Sequence, residues 1–76
     1  APAPDPILEA LVRWRDARAR AVEAPPATVL SDEVLRAIAQ RRPRTAEDVA
    51  TVPGVGPSRA ARYATEIVDV VADAGD

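Results

Sequence analysis

The amino-acid sequence predicts a compact all-α bundle of four to five helices. Apolar side chains recur every three to four positions in several stretches, which is the spacing of amphipathic helices. Residue types that cap helices stand before these stretches, and prolines follow two of them. No stretch of the sequence is convincingly typical of a β-strand. One small helical domain is therefore expected.

The first six residues, Ala-Pro-Ala-Pro-Asp-Pro, alternate with proline. Such a composition favours an extended segment that makes few contacts. We interpret residues 1–6 as the end of a linker and residues 7–76 as the helical domain. Asp5 is expected to cap the first helix, with Pro6 at its first helical position.

The first helix is expected to begin at Ile7 and to end at the prolines 25 and 26, whose rings cannot continue the hydrogen-bond ladder. Its apolar face is predicted to carry Ile7, Leu8, Leu11, Trp14, Arg15, Arg18, Ala21 and Val22. After the prolines, Ala27–Leu30 is predicted to be short and extended, with Val29 and Leu30 in the core.

Two further helices follow. Ser31 is the expected N-cap of the second helix, which carries Asp32 and Glu33 in its first turn and ends at Pro43. Its apolar stripe is Val34, Leu35 and Ile38. The segment from Thr45 to Asp48 matches the capping-box pattern and opens a short third helix that runs to about Ala50.

The last helix has the cleanest apolar stripe. Gly56 is expected to be its N-cap and Pro57 its first helical residue. The stripe comprises Ala60, Tyr63, Ala64, Ile67, Val70, Val71 and Ala74. Trp14 and Tyr63, the only Trp and the only Tyr, are both assigned to the core. Arg15 lies on the apolar side of the first helix and is expected to pair with an acidic residue at the core edge.

The composition argues against a catalytic domain. The chain contains neither Cys nor His, which removes thiol chemistry, Cys-based zinc sites and the commonest general base. The paired acids, Asp32-Glu33 and Glu47-Asp48, are explained by the dipoles of the helices that they begin. We therefore expect no enzymatic activity, no cofactor and no metal. The apolar runs are too short to span a membrane, and a cytoplasmic monomer is expected.

The turn before the last helix is the candidate binding site. Gly54 is expected to adopt positive φ, and Gly56 to allow another backbone or a ligand to come close. Val55 between them is predicted to point inward. The amides of Val55, Gly56, Ser58 and Arg59 lack helical acceptors, and the dipole at this end is positive.

Charges on the last helix strengthen that interpretation. Arg59 and Arg62 stand near its N-terminus and Asp69 and Asp73 near its C-terminus, which opposes the helix dipole. This order concentrates positive potential where the amides point, so an anion site is favoured over a purely structural turn. With a net charge of −2, affinity for nucleic acid must come from such a local patch. The acidic end, including Asp76, is expected to face solvent or a partner.

Three more arginines precede the third helix. Arg41, Arg42 and Arg44 either complement the C-terminus of the second helix or widen a basic strip through Arg59 and Arg62. The sequence leaves both interpretations open.

The chain resembles two known patterns. Residues 52–60, Val-Pro-Gly-Val-Gly-Pro-Ser-Arg-Ala, resemble the helix-hairpin-helix motif, which binds nucleic-acid backbones without sequence preference. Residues 7 to 72 as a whole resemble the HRDC (helicase and RNase D C-terminal) domain. The residues that carry this second resemblance are Leu11 to Arg15, Ser31, Asp32 and Leu35, Pro43 and Thr45, and Gly54, Gly56 and Tyr63.

The HRDC resemblance implies an accessory module of a RecQ-like helicase, a UvrD-like helicase or an RNase D-type exonuclease. The composition and the Pro-rich start look most like the bacterial UvrD-like case. The family often has aromatic residues where this chain has Ala27 to Leu30, so contacts to the phosphate backbone are expected rather than base stacking. The leading hypothesis is weak DNA binding, to single strands or duplexes. The alternatives are docking onto the helicase motor or another protein, and a structural spacer.

Overall fold

The computed structural model describes residues 5–75, which form five α-helices and no strand. The helices are α1 (Pro6–Ala21), α2 (Pro26–Val29), α3 (Asp32–Arg41), α4 (Ala46–Ala50) and α5 (Gly56–Gly75). The all-α prediction is confirmed. Residues 1–4 of the predicted linker (residues 1–6) and the acidic Asp76 lie outside the described residues. Within residues 5–75, no helix combines the length and the apolarity needed to cross a bilayer.

The predicted caps of α1, α3 and α4 are confirmed. In each case the side chain of the capping residue accepts a hydrogen bond from an amide of the first turn, which has no acceptor inside the helix. The bonds run from Ile7 N to Asp5 (3.0 Å), from Val34 N to Ser31 (3.4 Å) and from Asp48 N to Thr45 (3.1 Å). These caps set the starting points of three helices.

Helix α1 ends before the two prolines, so the prediction that the prolines terminate it is wrong. The helix stops at Ala21, and Glu23 turns the chain with a φ of +53°. The amide of Ala24 then donates back to the Ala19 carbonyl at 2.9 Å. A left-handed residue followed by this long-range bond is the Schellman arrangement, which usually uses glycine. Here glutamate takes the glycine position.

The segment before α3 is a single helical turn, so the prediction of an extended conformation is wrong. Pro25 flanks the turn in an extended conformation, and the Leu30 amide donates to the Pro26 carbonyl at 3.3 Å. Proline is favoured at the first position of a helix because its missing N–H would have no acceptor there. The predicted burial of Val29 and Leu30 is confirmed, at 2% and 1% exposure.

Helices α1 and α5 pack side by side in opposite directions. Trp14 in the middle of α1 meets Tyr63 of α5 edge to face, with ring centroids 5.5 Å apart. At the other end, Ile7 Cδ1 lies 3.6 Å from the position that a Cβ on Gly75 would occupy. The two ends of the described chain are therefore adjacent. The fully buried side chains around this pair are Ile7, Leu11, Leu30, Leu35, Ile38, Val49, Val55 and Ile67.

Arg15 joins α1 to the start of α3, which confirms its predicted pairing with an acidic residue. Its guanidinium donates to the Asp32 carboxylate, to the Leu30 carbonyl at 3.3 Å and to Asp16 Oδ1 at 3.2 Å. The residue is 8% exposed, so a long polar side chain is satisfied almost entirely within the domain. The hydrogen bond from Arg15 holds the pKa of Asp32 below its ordinary value.

Candidate nucleic-acid interface

The turn between α4 and α5 has the backbone conformation that its glycines predict. Gly54 has a φ of +90°, and a Cβ there would lie 2.7 Å from Val34 Cγ2. Val55 is fully buried, which confirms its predicted inward position. Gly56 has a φ of +79°, but a Cβ there would meet nothing within 4 Å. No other backbone approaches Gly56 within the described residues, so its surface is open.

Two of the four candidate amides remain available. Those of Gly56 and Ser58 make no hydrogen bond to any residue between 5 and 75 that lies outside α5. The Arg59 amide stands where the hydrogen bonds of α5 begin, because the helix starts at Gly56. The Val55 amide donates to the Val52 carbonyl at 3.3 Å, so the prediction that it is unpaired is wrong. Free amides at the start of a 20-residue helix, where the dipole is positive, favour an anion.

Arg59 and Arg62 line a groove beside these amides. The groove has a volume of about 420 Å³ and lies between α2 and the first turns of α5. We call it the hairpin groove; its polar lining consists of Thr28, Gly56, Ser58, Arg59, Arg62 and Tyr63. None of the described residues that line it carries a carboxylate. Its chemistry is therefore that of hydrogen-bond donors and positive charge.

Arg59 bridges the two walls of the hairpin groove. Its Nη2 donates to the Thr28 carbonyl of α2 at 3.3 Å, while its main chain belongs to α5. A guanidinium has five N–H donors, so this bond leaves others for a ligand. The sequence did not single out Thr28, because its position depends on how α2 packs. The only feature of the sequence that indicates this helical turn is the proline pair at residues 25 and 26.

The arginines before α4 do not extend the basic patch at the hairpin. Arg42 and Arg44 line a separate groove with the C-terminal turns of α5, from Val68 to Gly75. Because a helix rises 1.5 Å per residue, that groove lies roughly 20 Å along α5 from Arg59. Arg41 is exposed in the last turn of α3, where its charge complements the helix dipole. One continuous strip through all five arginines is not formed.

Tyr63 connects the hairpin groove to the interior. It is 4% exposed, which fits its assignment to the core, yet it also lines the groove. Its ring is fixed by the edge-to-face contact with Trp14 and by the Arg18 guanidinium, which lies 5.6 Å from the ring centroid. Trp14 is only half-buried, and its indole N–H donates to Glu66 Oε1 at 3.2 Å.

Between residues 5 and 75, no group of three or more potential ligand side chains comes together to hold a metal ion. The hairpin groove contains hydroxyls, guanidiniums and amides, all of which can donate hydrogen bonds to an anion. The arrangement is suited to binding an anionic group.

Comparisons with known proteins agree with this architecture. The family model of the HRDC domain matches residues 5–71. A solved structure described as D. radiodurans RecQ HRDC domain 3 is 31% identical in sequence, with a TM-score of 0.89. The match covers 93% of this chain and 93% of that one. No curated protein sequence matches this chain.

Proposed function

The chain belongs to the HRDC domain family, and on that premise we propose that it is an accessory nucleic-acid-binding module of a DNA helicase. The module contacts the phosphate backbone weakly and without sequence preference. The contacts are made by the amides of Gly56 and Ser58 and by the guanidiniums of Arg59 and Arg62. Chemistry in the parent protein is performed elsewhere.

The parent helicase is of the RecQ type. The likeness to an HRDC domain of D. radiodurans RecQ, at 31% identity over 93% of the chain, supports this origin. This likeness is stronger support than the composition and the Pro-rich start, from which a UvrD-like helicase was the expectation. Tethering to the helicase motor raises the effective concentration of a weakly binding module, so low affinity is compatible with this role.

The observation that supports DNA binding best is the hairpin groove itself. Gly56 and Ser58, whose amides are unpaired, line the same groove as two arginines, and no carboxylate is present among the described lining residues. Phosphate oxygens accept hydrogen bonds from such donors and are attracted by the positive helix end. Because the net charge is −2, binding must come from a local patch of positive charge such as this one.

A second candidate function is docking onto the helicase motor or another protein. It is favoured by the other groove, where Arg42 and Arg44 flank an apolar floor that includes Ile7 and Val71. Apolar surface edged by guanidiniums is common at protein interfaces, where arginine is enriched. In that case the hairpin turn serves the fold alone.

The test compares two double variants of identical charge. Arg59→Gln/Arg62→Gln removes the arginines of the hairpin groove. Arg42→Gln/Arg44→Gln removes two arginines that lie beside the opposite end of α5. Binding to a short labelled single strand and to the matching duplex is measured by fluorescence anisotropy from 50 to 200 mM salt. Circular dichroism checks that each variant keeps its helices.

For the unmodified domain we expect dissociation constants on the order of 10⁻⁴–10⁻⁵ M, typical of nonspecific contacts. If about three phosphates are neutralised, this salt increase weakens duplex binding roughly 40-fold. Arg59→Gln/Arg62→Gln should weaken binding and make the log–log salt slope shallower by roughly 2, since each phosphate contact contributes about 0.9. Arg42→Gln/Arg44→Gln should change little. Equal losses in both variants would show that only net charge matters, and no binding at low salt would favour docking.

A further inference from the structure

We infer that the hairpin groove seats the terminal phosphate of a nucleic-acid strand, with the Tyr63 hydroxyl as its deepest hydrogen-bond donor. This inference rests on the proposed function, because it names the part of the nucleic acid that the same groove takes. It also assigns a binding role to Tyr63, a residue whose position on the apolar stripe of α5 indicates only a core residue.

The Tyr63 hydroxyl is a polar group that the domain itself does not satisfy. Tyr63 is 4% exposed, and its hydroxyl makes no hydrogen bond to any residue from 5 to 75. The described side chains contain one fully buried polar atom without a partner, and it is Arg18 Nε rather than the Tyr63 oxygen. The phenol oxygen is therefore not fully buried, and Tyr63 is one of the residues that line the hairpin groove.

The tyrosine ring holds this hydroxyl in one place. Trp14 packs against the ring at an interplanar angle of 82°, and Arg18 covers it at 5.6 Å. A donor on a fixed ring loses little conformational entropy when it binds a ligand, which favours its use for recognition.

The donors around the groove outnumber the acceptors of an internal phosphate. Hydroxyls come from Thr28, Ser58 and Tyr63, and guanidiniums from Arg59 and Arg62; free amides add to them. An internal phosphodiester offers two non-bridging oxygens and one negative charge. A terminal phosphate monoester offers three oxygens and a charge of about −1.5 to −2 at pH 7. The donor set matches the monoester better.

The shape of the groove also favours a strand end. The bond between Arg59 and the Thr28 carbonyl links its two walls, and Tyr63 is the most buried of its polar lining residues, at 4% exposure. An internal phosphate carries a sugar on either side, which keeps it at the mouth of such a groove. A terminal phosphate carries one sugar and is free to enter.

The experiment uses short single strands that differ at one end. The domain is titrated with a 5′-phosphorylated strand, a 3′-phosphorylated strand and a strand with two free hydroxyl ends that is two nucleotides longer to compensate for charge. Binding is followed by anisotropy and by the fluorescence of Trp14, which contacts Tyr63. A phosphoserine peptide of similar charge tests whether the groove takes a phosphate monoester from a protein instead.

We expect one phosphorylated strand to bind about tenfold more tightly than the longer hydroxyl-ended strand, which corresponds to about 1.4 kcal/mol for hydrogen bonds to a charged group. Tyr63→Phe keeps the ring and its contacts while removing the hydroxyl, so it should abolish most of this preference with the melting temperature little changed. Thr28→Val, on the exposed wall, should reduce the preference in the same direction.

Two results would overturn the inference. One is equal binding of all three strands that is still weakened by Arg59→Gln/Arg62→Gln; it removes the terminal-phosphate assignment but leaves the proposed function standing. The other is a phosphopeptide that binds as tightly as the phosphorylated strand. Absence of binding to every strand at low salt would instead refute the proposed function as well.

Discussion

Replacing Gly54 with alanine tests whether the hairpin turn is fixed by local backbone geometry or by packing against α3. Gly54 has a φ of +90°, and a Cβ at this position would lie 2.7 Å from Val34 Cγ2. That distance is far inside van der Waals contact. Val34 is 9% exposed and β-branched, so its methyl group cannot rotate away freely.

Two separate penalties are expected at Gly54. A left-handed conformation costs an L-residue about 1–2 kcal/mol. Forcing a methyl group into a packed site costs about a further 1–3 kcal/mol. Gly56 provides the matched control: its φ is +79°, but a Cβ there would meet nothing within 4 Å. Gly56→Ala should therefore carry only the first penalty.

Urea denaturation followed by circular dichroism measures the free energy of unfolding of each variant. We expect Gly54→Ala to be less stable than Gly56→Ala by about 1–3 kcal/mol, the overpacking contribution alone. In a Val34→Ala background the methyl group that causes the clash is absent, and the two glycine variants should become nearly equal. Adding trimethylamine N-oxide to every sample keeps the least stable variants folded enough to measure.

The reasoning is refuted if Gly54→Ala and Gly56→Ala are equally destabilised when Val34 is present. That outcome would mean that the contact with α3 relaxes without cost and that φ alone selects glycine at both positions. A difference that persists unchanged in the Val34→Ala background would also refute it, because the clash would then involve another group.

Two further predictions concern residues outside the hairpin. The lowered pKa of Asp32 means that its hydrogen bond with Arg15 stabilises the fold above the unfolded carboxyl pKa of about 3.9 and is lost as the pH falls through the folded value. Asp32→Asn should therefore lower the melting temperature at pH 7, and this difference should shrink as the pH falls. Glu33→Gln, which alters the same helical turn without that partner, should show a smaller effect at pH 7, and equal effects would contradict the pairing. Trp14→Phe removes the 3.2 Å bond to Glu66 and should lower the free energy of unfolding in urea by about 1–2 kcal/mol, and unchanged stability would show that this bond contributes nothing.

The sequence predicted those parts of the fold that depend on neighbouring residues. The caps at Asp5, Ser31 and Thr45 were found because each bond spans only two or three residues. The conformation of Gly54 was found because tight turns of this kind require positive φ. The periodic stripe of the last helix likewise identified all five of its buried residues.

Features that depend on atypical residues or on tertiary packing were missed. The end of α1 uses Glu23 in a position where glycine is the usual signal, so nothing in the sequence marked it. Helix α2 has only four residues, too few to show a helical period. The prolines at its start are also typical of the end of a preceding helix, so they do not by themselves indicate a new one. The contact between Arg59 and Thr28 spans 31 positions and follows only once α2 has packed.

The adjacency of Ile7 and Gly75 has a mechanical consequence. A pulling force applied at the two ends of the described chain acts across the α1–α5 interface at its outermost contact. The two antiparallel helices then peel apart one turn at a time, and each turn carries the load alone. A force directed parallel to the interface would instead load many contacts at the same time. We expect the domain to yield to low tension, and to extend from the end of the bundle opposite the hairpin.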